Sequence, residues 1–398
     1  MTQLRILISG ASIAGPAAAL LLARQGHDVT IVERASSLRG GGQTVDLRGA
    51  GRTVVERMGL TAATDARLLD QRGIAKVDAR GRRGAAIPVE AFGGNGIVST
   101  HEILRGDLAE VLVDALHDEA PDVRYLWDDT VTAIRQRDGG ADVEFFSAAD
   151  DTFDLVIGAD GLTSAVRRAA FGPDSETLRP IGLRYAWFTA DVDEDLDGWY
   201  LMHNALGGRV VSARPSRTGA GVKAGLSIRG SDATRRSREE QYRLFEETFG
   251  DLGWITPQLL TAMRKADDWA YNDLAQVRLD GWTRGRVALV GDAGYCPTPL
   301  TGLGTTLALV GAYVLAGELG GAAGDVATAL QRYDAVMRPF VARTQALPPS
   351  GVSGYAPKSR IGLALGELSY RTMNHFPAKQ IFASQFEKAD GIDLPSYA

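Results

Sequence analysis

Hydrophobic and polar positions at the start of the chain follow a β-α-β pattern. The apolar run Leu4 to Ser9 predicts a buried strand, Ile13 to Gln25 predicts a helix rich in Ala and Leu, and Asp28 to Val32 predicts a second strand. A helical spacing of Leu and Val returns from Leu104 to Leu116. Further strands are predicted by short apolar or alternating runs at 123–126, 130–136, 143–146 and 154–158.

The middle of the chain changes to a strand-rich pattern. Residues 181–229 alternate between apolar and polar positions, with Gly, Asp and Ser at the breaks. A helix is predicted from Ser237 to Phe249, where Ser237 and Glu240 fit a capping box. A last strand at 286–290 precedes helices at 303–319 and 327–346, and a helix-like stretch runs from Ser369 to Phe386.

These changes of pattern predict an α/β fold with a discontinuous organisation. We expect a Rossmann-like nucleotide-binding domain from residues 1–75, 101–178 and 266–346. An inserted β-sheet domain, formed by 76–100 and 179–265, is expected to bind the substrate, and 347–398 is expected to form a C-terminal helical segment. A length of 398 residues suits two or three domains.

Composition narrows the class of protein. A net charge of -6 argues against a nucleic-acid binder, which usually has a basic balance. The single Cys296 allows no internal disulfide, so we expect the protein in a reducing cytoplasm. The five His are scattered along the chain, so no metal site is expected. The apolar stretch Leu307 to Gly317 is shorter than the ~20 residues that cross a bilayer, so no membrane partner is expected.

The turn after the first strand has the spacing of a dinucleotide-binding turn. It reads G-A-S-I-A-G, with Ser12 where the G-x-G-x-x-G pattern has its second glycine. The N–H groups at the helix start attract phosphate, and Glu33 can accept hydrogen bonds from ribose hydroxyls. The acid would repel a 2′-phosphate, so FAD or NAD is favoured over NADP, although a plain strand-helix turn is the alternative. The nucleotide-binding candidates are Gly10, Ser12, Ile13, Ala14, Gly15 and Glu33.

Two later strands also end in Gly/Asp turns. The strand at 154–158 leads to Asp160 and Gly161, and Ser164 and Arg167 can tie the following loop by hydrogen bonds. The strand at 286–290 leads to Asp292, which can accept from a ribityl hydroxyl. Backbone N–H groups at the next helix start would stabilise the negative charge of a reduced flavin. Each segment read alone could be an ordinary loop. The candidates of the third segment are Gly291, Asp292, Pro299, Gly302, Leu303 and Gly304.

Together the three motifs resemble those of the class A, single-component FAD-dependent monooxygenases of the p-hydroxybenzoate hydroxylase type. Over residues 4–345 the chain looks most similar to the short tetracycline-inactivating and aromatic polyketide hydroxylase-like enzymes. Asp160 matches the DG motif of the family and Asp292 its GD motif. The resemblance implies that Arg105, at a helix start, contacts FAD and that Arg34 lies over the adenine or ribose.

The resemblance also implies a reaction. The enzyme would use FAD, O2 and either NADPH or NADH to insert one oxygen atom into an aromatic or polyketide-type molecule. The oxygen would be transferred from a C4a-hydroperoxyflavin, and the reaction would serve antibiotic biosynthesis or inactivation. No catalytic acid or base is assigned, because the flavin carries the chemistry. A monomer or homodimer is expected. The candidate substrate-lining residues are Phe188, Thr189, Arg209, Lys223 and Pro297.

Other interpretations stay open on sequence alone. The same fold could perform Baeyer–Villiger oxidation, epoxidation or dehydrogenation, and a non-catalytic protein could bind a flavin or ligand without consuming NAD(P)H. Cys296 is either a covalent flavin anchor or a buried, inert thiol.

Overall fold

Eighteen strands are found in the residues that the structure, a computed structural model, describes: 2–397 without 39, 217–220, 233–235, 349, 374, 376–378, 381–382 and 384–386. The strands are β1 Arg5–Ser9, β2 Asp28–Glu33, β3 Thr44–Asp46, β4 Gly73–Val77, β5 Arg83–Pro88, β6 Glu102–Leu104, β7 Arg124–Trp127, β8 Val131–Arg137, β9 Gly140–Phe145, β10 Asp151–Phe153, β11 Leu155–Gly158, β12 Leu178–Ala190, β13 Trp199–Ala205, β14 Arg209–Pro215, β15 Val222–Arg229, β16 Ala270–Val277, β17 Thr283–Arg284 and β18 Val287–Leu289.

The helices connect and cover these strands. They are α1 Ala14–Arg24, α2 Gly49–Arg57, α3 Thr61–Asp65, α4 Arg105–Glu119, α5 Ala165–Phe171, α6 Asp174–Thr177, α7 Arg238–Phe249, α8 Thr256–Ala262, α9 Asp292–Tyr295, α10 Gly304–Gly321, α11 Val326–Thr344, α12 Gly351–Tyr355 and α13 Arg360–Thr372. Short 3₁₀ turns occur at Val89–Phe92, Pro299–Thr301 and Glu387–Asp390. Among the described residues, no helix is both long and apolar enough to span a membrane.

A six-stranded sheet carries the N-terminal β-α-β unit. Its order is β17-β18-β11-β1-β2-β7, and all neighbours are parallel except β17 and β18. Ile6, Leu7 and Ile8 of β1 are fully buried, as expected for a parallel strand covered on both faces. The small residues of α1 and the apolar surface of α10 allow these two helices to pack closely over the sheet. The carboxyl ends of β1, β11 and β18 therefore meet at one edge.

A seven-stranded sheet forms the second layer of the protein. Its order is β16-β12-β15-β14-β13-β4-β5, antiparallel except for β4 and β13. One face packs Phe188 and its neighbours against Phe245 and Phe249 of α7. The other face carries a second apolar cluster, which includes Leu183 and Val210, beside polar side chains. The expected domain boundary at 75/76 falls inside β4. The expected boundary at 265/266 falls before β16, although β16 belongs to this same sheet.

The predicted α/β class is confirmed, as are the main local elements. The capping box is present, because Ser237 Oγ accepts from Glu240 N at 3.3 Å and Glu240 Oε2 accepts from Ser237 N at 2.7 Å. The C-terminal helix begins earlier than expected, at Arg360, where Ser359 caps it. The later part of the helix predicted to reach Phe386 lies largely outside the described residues.

Candidate active site

The glycine turn after β1 is closely packed and leaves a helix start open. Gly10 has a φ of 109°, and a Cβ at this position would lie 2.5 Å from the carbonyl oxygen of Ala159. A Cβ on Gly15 would lie 1.8 Å from the oxygen of Gly10, so this turn requires glycine at both positions. The structure shows no side-chain cap on α1, so its first N–H groups can bind phosphate.

Two charged side chains flank this turn. Glu33 ends β2, and its carboxylate accepts from Ala11 N at 2.9 Å and Ala35 N at 3.0 Å, which fixes the acid beside the turn. Arg105 is the first residue of α4 and donates to Ser12 Oγ at 2.8 Å. The hydroxyl that replaces the usual glycine therefore serves to hold an arginine over the helix start.

The loop Gly40 to Gly42 packs against the start of α4. Gly106 N donates to Gly41 O at 2.8 Å, and a Cβ on Gly42 would lie 2.9 Å from Arg105 Nε. The sequence is compatible with either a plain turn or a hinge here. The structure shows a turn in contact with both the arginine of α4 and the pocket described below.

The DG turn after β11 is tied by its own hydrogen bonds. Asp160 Oδ1 accepts from Ser164 Oγ at 2.5 Å, and Asp160 Oδ2 accepts from Ala165 N at 2.7 Å. Arg167 is fully buried and donates to Leu162 O at 2.6 Å, so the predicted tying role of Ser164 and Arg167 is confirmed. Asp160 therefore shapes the turn at the start of α5 with both of its carboxylate oxygens.

Asp292 follows β18 and is the first residue of α9. It lies deep among protein atoms, and this burial raises the pKa of its carboxyl, yet its side chain is accessible. The carboxylate faces the start of α10, where a Cβ on Gly304 would lie 3.6 Å from Asp292 Oδ1. Gly302, with a φ of 66°, turns the backbone into that helix, and Leu303 carries no capping bond.

These features fit an extended dinucleotide with a flavin ring. The α1 start offers phosphate-binding N–H groups, Glu33 stands beside this turn, and the accessible Asp292 carboxylate faces the start of α10. The start of α10 offers a second set of N–H groups for a partial negative charge. The residues present therefore fit FAD.

A polar row crosses three neighbouring strands of the seven-stranded sheet. Lys223 of β15 lies directly opposite Thr189 of β12 on one side and Arg214 of β14 on the other. Lys223 Nζ donates to Thr189 Oγ1 at 2.7 Å and lies 3.5 Å from Asp268 Oδ2. The pocket above this row is lined by the Gly42 loop and by Tyr185 and Trp187. The row therefore forms the floor of a polar and aromatic site.

Asp268 holds the row in place. It accepts from Thr189 N at 2.7 Å and from Thr189 Oγ1 at 2.6 Å. Burial favours the neutral acid, but the hydrogen bonds from Thr189 and the charge of Lys223 outweigh it and lower the pKa of Asp268. Asp268 is therefore a carboxylate that balances the ammonium of Lys223.

A buried ion pair joins this floor to β6. Arg214 Nη1 donates to Glu102 Oε2 at 3.1 Å and to Thr44 Oγ1 at 2.7 Å, and its guanidinium lies 3.9 Å from the ring centroid of Tyr200. Glu102 is only 1% exposed and also accepts from Gln71 Nε2. Burial raises the pKa of Glu102 to about 7, although Arg214 opposes this effect.

Only part of the expected substrate set faces the pocket. Lys223 lines it, and Thr189 lies on the same face, bonded to Lys223 Nζ. Arg209 does not face it, because it stands five positions before Arg214 on a regular strand and therefore on the opposite face, where it pairs with Asp251. Phe188 also borders the pocket, although its ring is in the core, 5.4 Å from that of Trp269.

The remaining candidates have structural contacts of their own. The carbonyl oxygen of Pro297 accepts a hydrogen bond from Gln276 Nε2 at 3.0 Å. Arg34 is exposed and donates to Thr163 Oγ1 at 3.4 Å. Cys296 is 4% exposed, and burial raises the pKa of its thiol, so it is an inert, buried thiol in this structure. Sequence reasoning missed Arg214 and Ser212, although both are polar residues at alternate positions of a strand.

Comparisons with known proteins agree with this geometry. The FAD binding domain family matches residues 3–346. The chain is 35% identical over 381 residues to an FAD-dependent monooxygenase of Sarocladium schorii, covering 90% of both chains. It is 33% identical over 398 residues to a flavin-dependent monooxygenase of Legionella longbeachae, covering 99% of this chain and 98% of that one. The crystal structure of the tetracycline destructase Tet(51) superposes with a TM-score of 0.82 and 32% identity over 100% of both chains.

Proposed function

Because this chain belongs to the FAD binding domain family and is an FAD-dependent monooxygenase, we propose that it oxygenates a planar aromatic or polyketide-type molecule bearing an acidic oxygen. The observation that carries this proposal is the row of Thr189, Lys223 and Arg214, which places two cations side by side on the pocket floor. Asp268 balances Lys223, whereas Glu102 pairs with Arg214 but is so buried that its neutral form is favoured.

The same proposal assigns the cofactor contacts. Bound FAD would supply the hydride acceptor for NADPH or NADH and the centre that activates O2. The chain contributes binding and orientation through phosphate, ribose and ring contacts. The residues proposed for these contacts are Gly10, Ser12, Ile13, Ala14, Gly15, Glu33, Arg34, Arg105, Asp160, Gly291, Asp292, Pro299, Gly302, Leu303 and Gly304.

The pocket chemistry favours an enolate, phenolate or carboxylate on the substrate. A guanidinium and an ammonium on one face bind an anionic oxygen by charge-assisted hydrogen bonds. Tyr185 and Trp187, whose ring centroids are 4.9 Å apart, give an aromatic wall for a flat ring system. Tet(51) is a tetracycline destructase, and a tetracycline-like polyketide would meet both requirements.

Sequence and composition suggest the setting of this enzyme. We propose a cytoplasmic location, since a single, buried thiol suits a reducing compartment. A monomer or homodimer remains our expectation, with an FAD-binding part built on the six-stranded sheet and a substrate-binding part built on the seven-stranded sheet.

The test combines a spectrum with turnover. The purified protein should be yellow or become so on reconstitution with FAD. Its consumption of NADPH or NADH should rise with one member of a panel of aromatic polyketides and tetracyclines, and the product should gain one oxygen atom by mass spectrometry. A protein that cannot hold FAD, or that consumes NAD(P)H without an oxygenated product for any compound, would contradict the proposal.

A further inference from the structure

A second groove lies towards the β5 edge of the seven-stranded sheet. It is bordered by the β4–β5 hairpin, the end of β13, and helices α12 and α13. Its cavity volume is about 680 Å³, within the range of roughly 300–1,000 Å³ that small-molecule sites occupy. The cofactor cleft and the row on β12, β15 and β14 do not contribute to its lining. The groove is therefore separate from the site already described.

A largely buried lysine forms the base of this groove. Lys76 lies on β4 on the same face as the core residue Ile74, and its Nζ is 4.3 Å from the ring centroid of Tyr370 and 3.1 Å from Met202 Sδ. Burial lowers the pKa of Lys76 to about 7. Asn204 Oδ1 accepts a hydrogen bond from Nζ.

Lys76 forms no salt bridge in the part of the chain that the structure describes, where no carboxylate oxygen comes within 4.0 Å of its Nζ. Glu367 attracts the charge of the lysine, but its Oε1 accepts from Arg371 Nε at 3.1 Å. Lysine is seldom buried without a charged partner, because removing an ammonium from water is costly. A bound anion would remove this cost.

The surroundings define the shape and charge of that anion. Four cations line the groove, and three of them have carboxylate partners: Arg82 pairs with Asp78, Arg83 with Asp197 and Arg371 with Glu367. Lys76 is therefore the cation that the acid group of a ligand would balance.

A glycine leaves open space on one side of the groove. Gly366 of α13 lines the groove, and a Cβ on it would meet only Pro357 Cγ, at 4.0 Å. Gly84 of β5 is covered instead, because a Cβ there would lie 3.3 Å from Glu367 Oε1. A planar ring can therefore approach the backbone of α13 closely at Gly366.

We propose that this groove is a second ligand site, which binds a planar aromatic carboxylate. The carboxylate pairs with Lys76 Nζ, and the ring lies against the open surface at Gly366. The proposal does not depend on the identity of the oxygenated substrate or on turnover.

The test uses 2-naphthoate as the probe and the FAD-loaded protein. Isothermal titration calorimetry should detect binding to the wild type. Lys76→Met removes the charge, and Gly366→Leu fills the open space, and each should weaken binding at least about tenfold. Lys223→Met is the matched control, because it removes the lysine of the other pocket and should leave this affinity unchanged. If Lys76→Met does not fold, Gly366→Leu decides the question.

Three results would overturn the proposal. The first is unchanged affinity in both Lys76→Met and Gly366→Leu. The second is a loss of binding in Lys223→Met that neither groove variant shows, which would place the acid in the oxygenation pocket. The third is an absence of binding heat for the wild type up to the solubility of the probe.

Discussion

Replacing Glu102 by glutamine should change how thermal stability varies with pH. Glu102 is 1% exposed and pairs with Arg214, and its pKa is raised by burial from 4.5 to about 7. The folded protein therefore keeps a proton on this side chain in a pH range where the unfolded chain has released it. The stability due to this proton is fully present below the unfolded pKa and is lost as the pH rises through the folded pKa.

The magnitude follows from the size of this shift. A rise from 4.5 to about 7 corresponds to roughly 3 kcal/mol, at ~1.4 kcal/mol per pH unit. Glutamine does not titrate, so the wild type should lose this amount relative to Glu102→Gln between about pH 4.5 and pH 7.5. At an unfolding entropy of about 2.1 cal/mol/K per residue, a chain of 398 residues converts this loss to a Tm difference of roughly 4 °C.

Circular dichroism melts at constant scan rate would measure this difference. Exchange of the neutral acid for an amide adds a constant offset to the variant, whereas the attraction of the Glu102 carboxylate to Arg214 is already contained in the raised pKa. The control is Glu90→Gln, an exposed glutamate whose curve should run parallel to that of the wild type. If the Tm difference between wild type and Glu102→Gln changes by less than about 1 °C over this pH range, the assignment of a buried, proton-holding Glu102 is refuted.

Three further predictions follow from contacts in the cofactor and substrate sites. Arg214→Met should raise the KM of an accepted substrate at least about tenfold, because a charge-assisted hydrogen bond to the substrate is lost. Arg209→Met is the control, since Arg209 lies on the opposite face of the same strand and should not affect KM. Equal effects of the two variants in steady-state assays would contradict the placement of the pocket. Gly10→Ala should abolish FAD retention, because its Cβ would lie 2.5 Å from Ala159 O, and a normal flavin-to-protein absorbance ratio would be evidence against this turn as the cofactor site. The wild type and Cys296→Ala should both release all flavin on acid precipitation, and flavin that stays with wild-type protein alone would identify the thiol as a covalent anchor.

Elements with a strong local pattern could be predicted from the sequence. The β1-α1-β2 unit and the capped helix α7 carry apolar periodicity and capping residues within short windows. The C-terminal helix α13 begins at Arg360, before the predicted start at Ser369, because it exposes Ile361, Leu365 and Leu368 and these apolar positions do not mark a buried face. Periodicity therefore locates elements better than it locates their ends.

The cofactor side of the site was easier to predict than the substrate side. Glycine turns and Asp292 lie in contiguous motifs, whereas the pair of Glu102 and Arg214 joins positions 112 residues apart. Arg209 and Arg214 share a strand, and only the register with β15 shows which of them faces the pocket. A local sequence pattern does not show which distant residues pair, so these contacts could be identified only from the structure.

The alternation of side chains along β12, β14 and β15 has a consequence for how this enzyme can change. Thr189, Lys223 and Arg214 project from one face, while the positions between them pack into the core on the other. Thr189 and Lys223 can therefore change without altering the apolar core on the other face, whereas a change at Arg214 also breaks its buried contact with Glu102 of β6. Selection, in nature or in a laboratory library, can thus alter which molecule is oxygenated more readily through Thr189 and Lys223 than through Arg214.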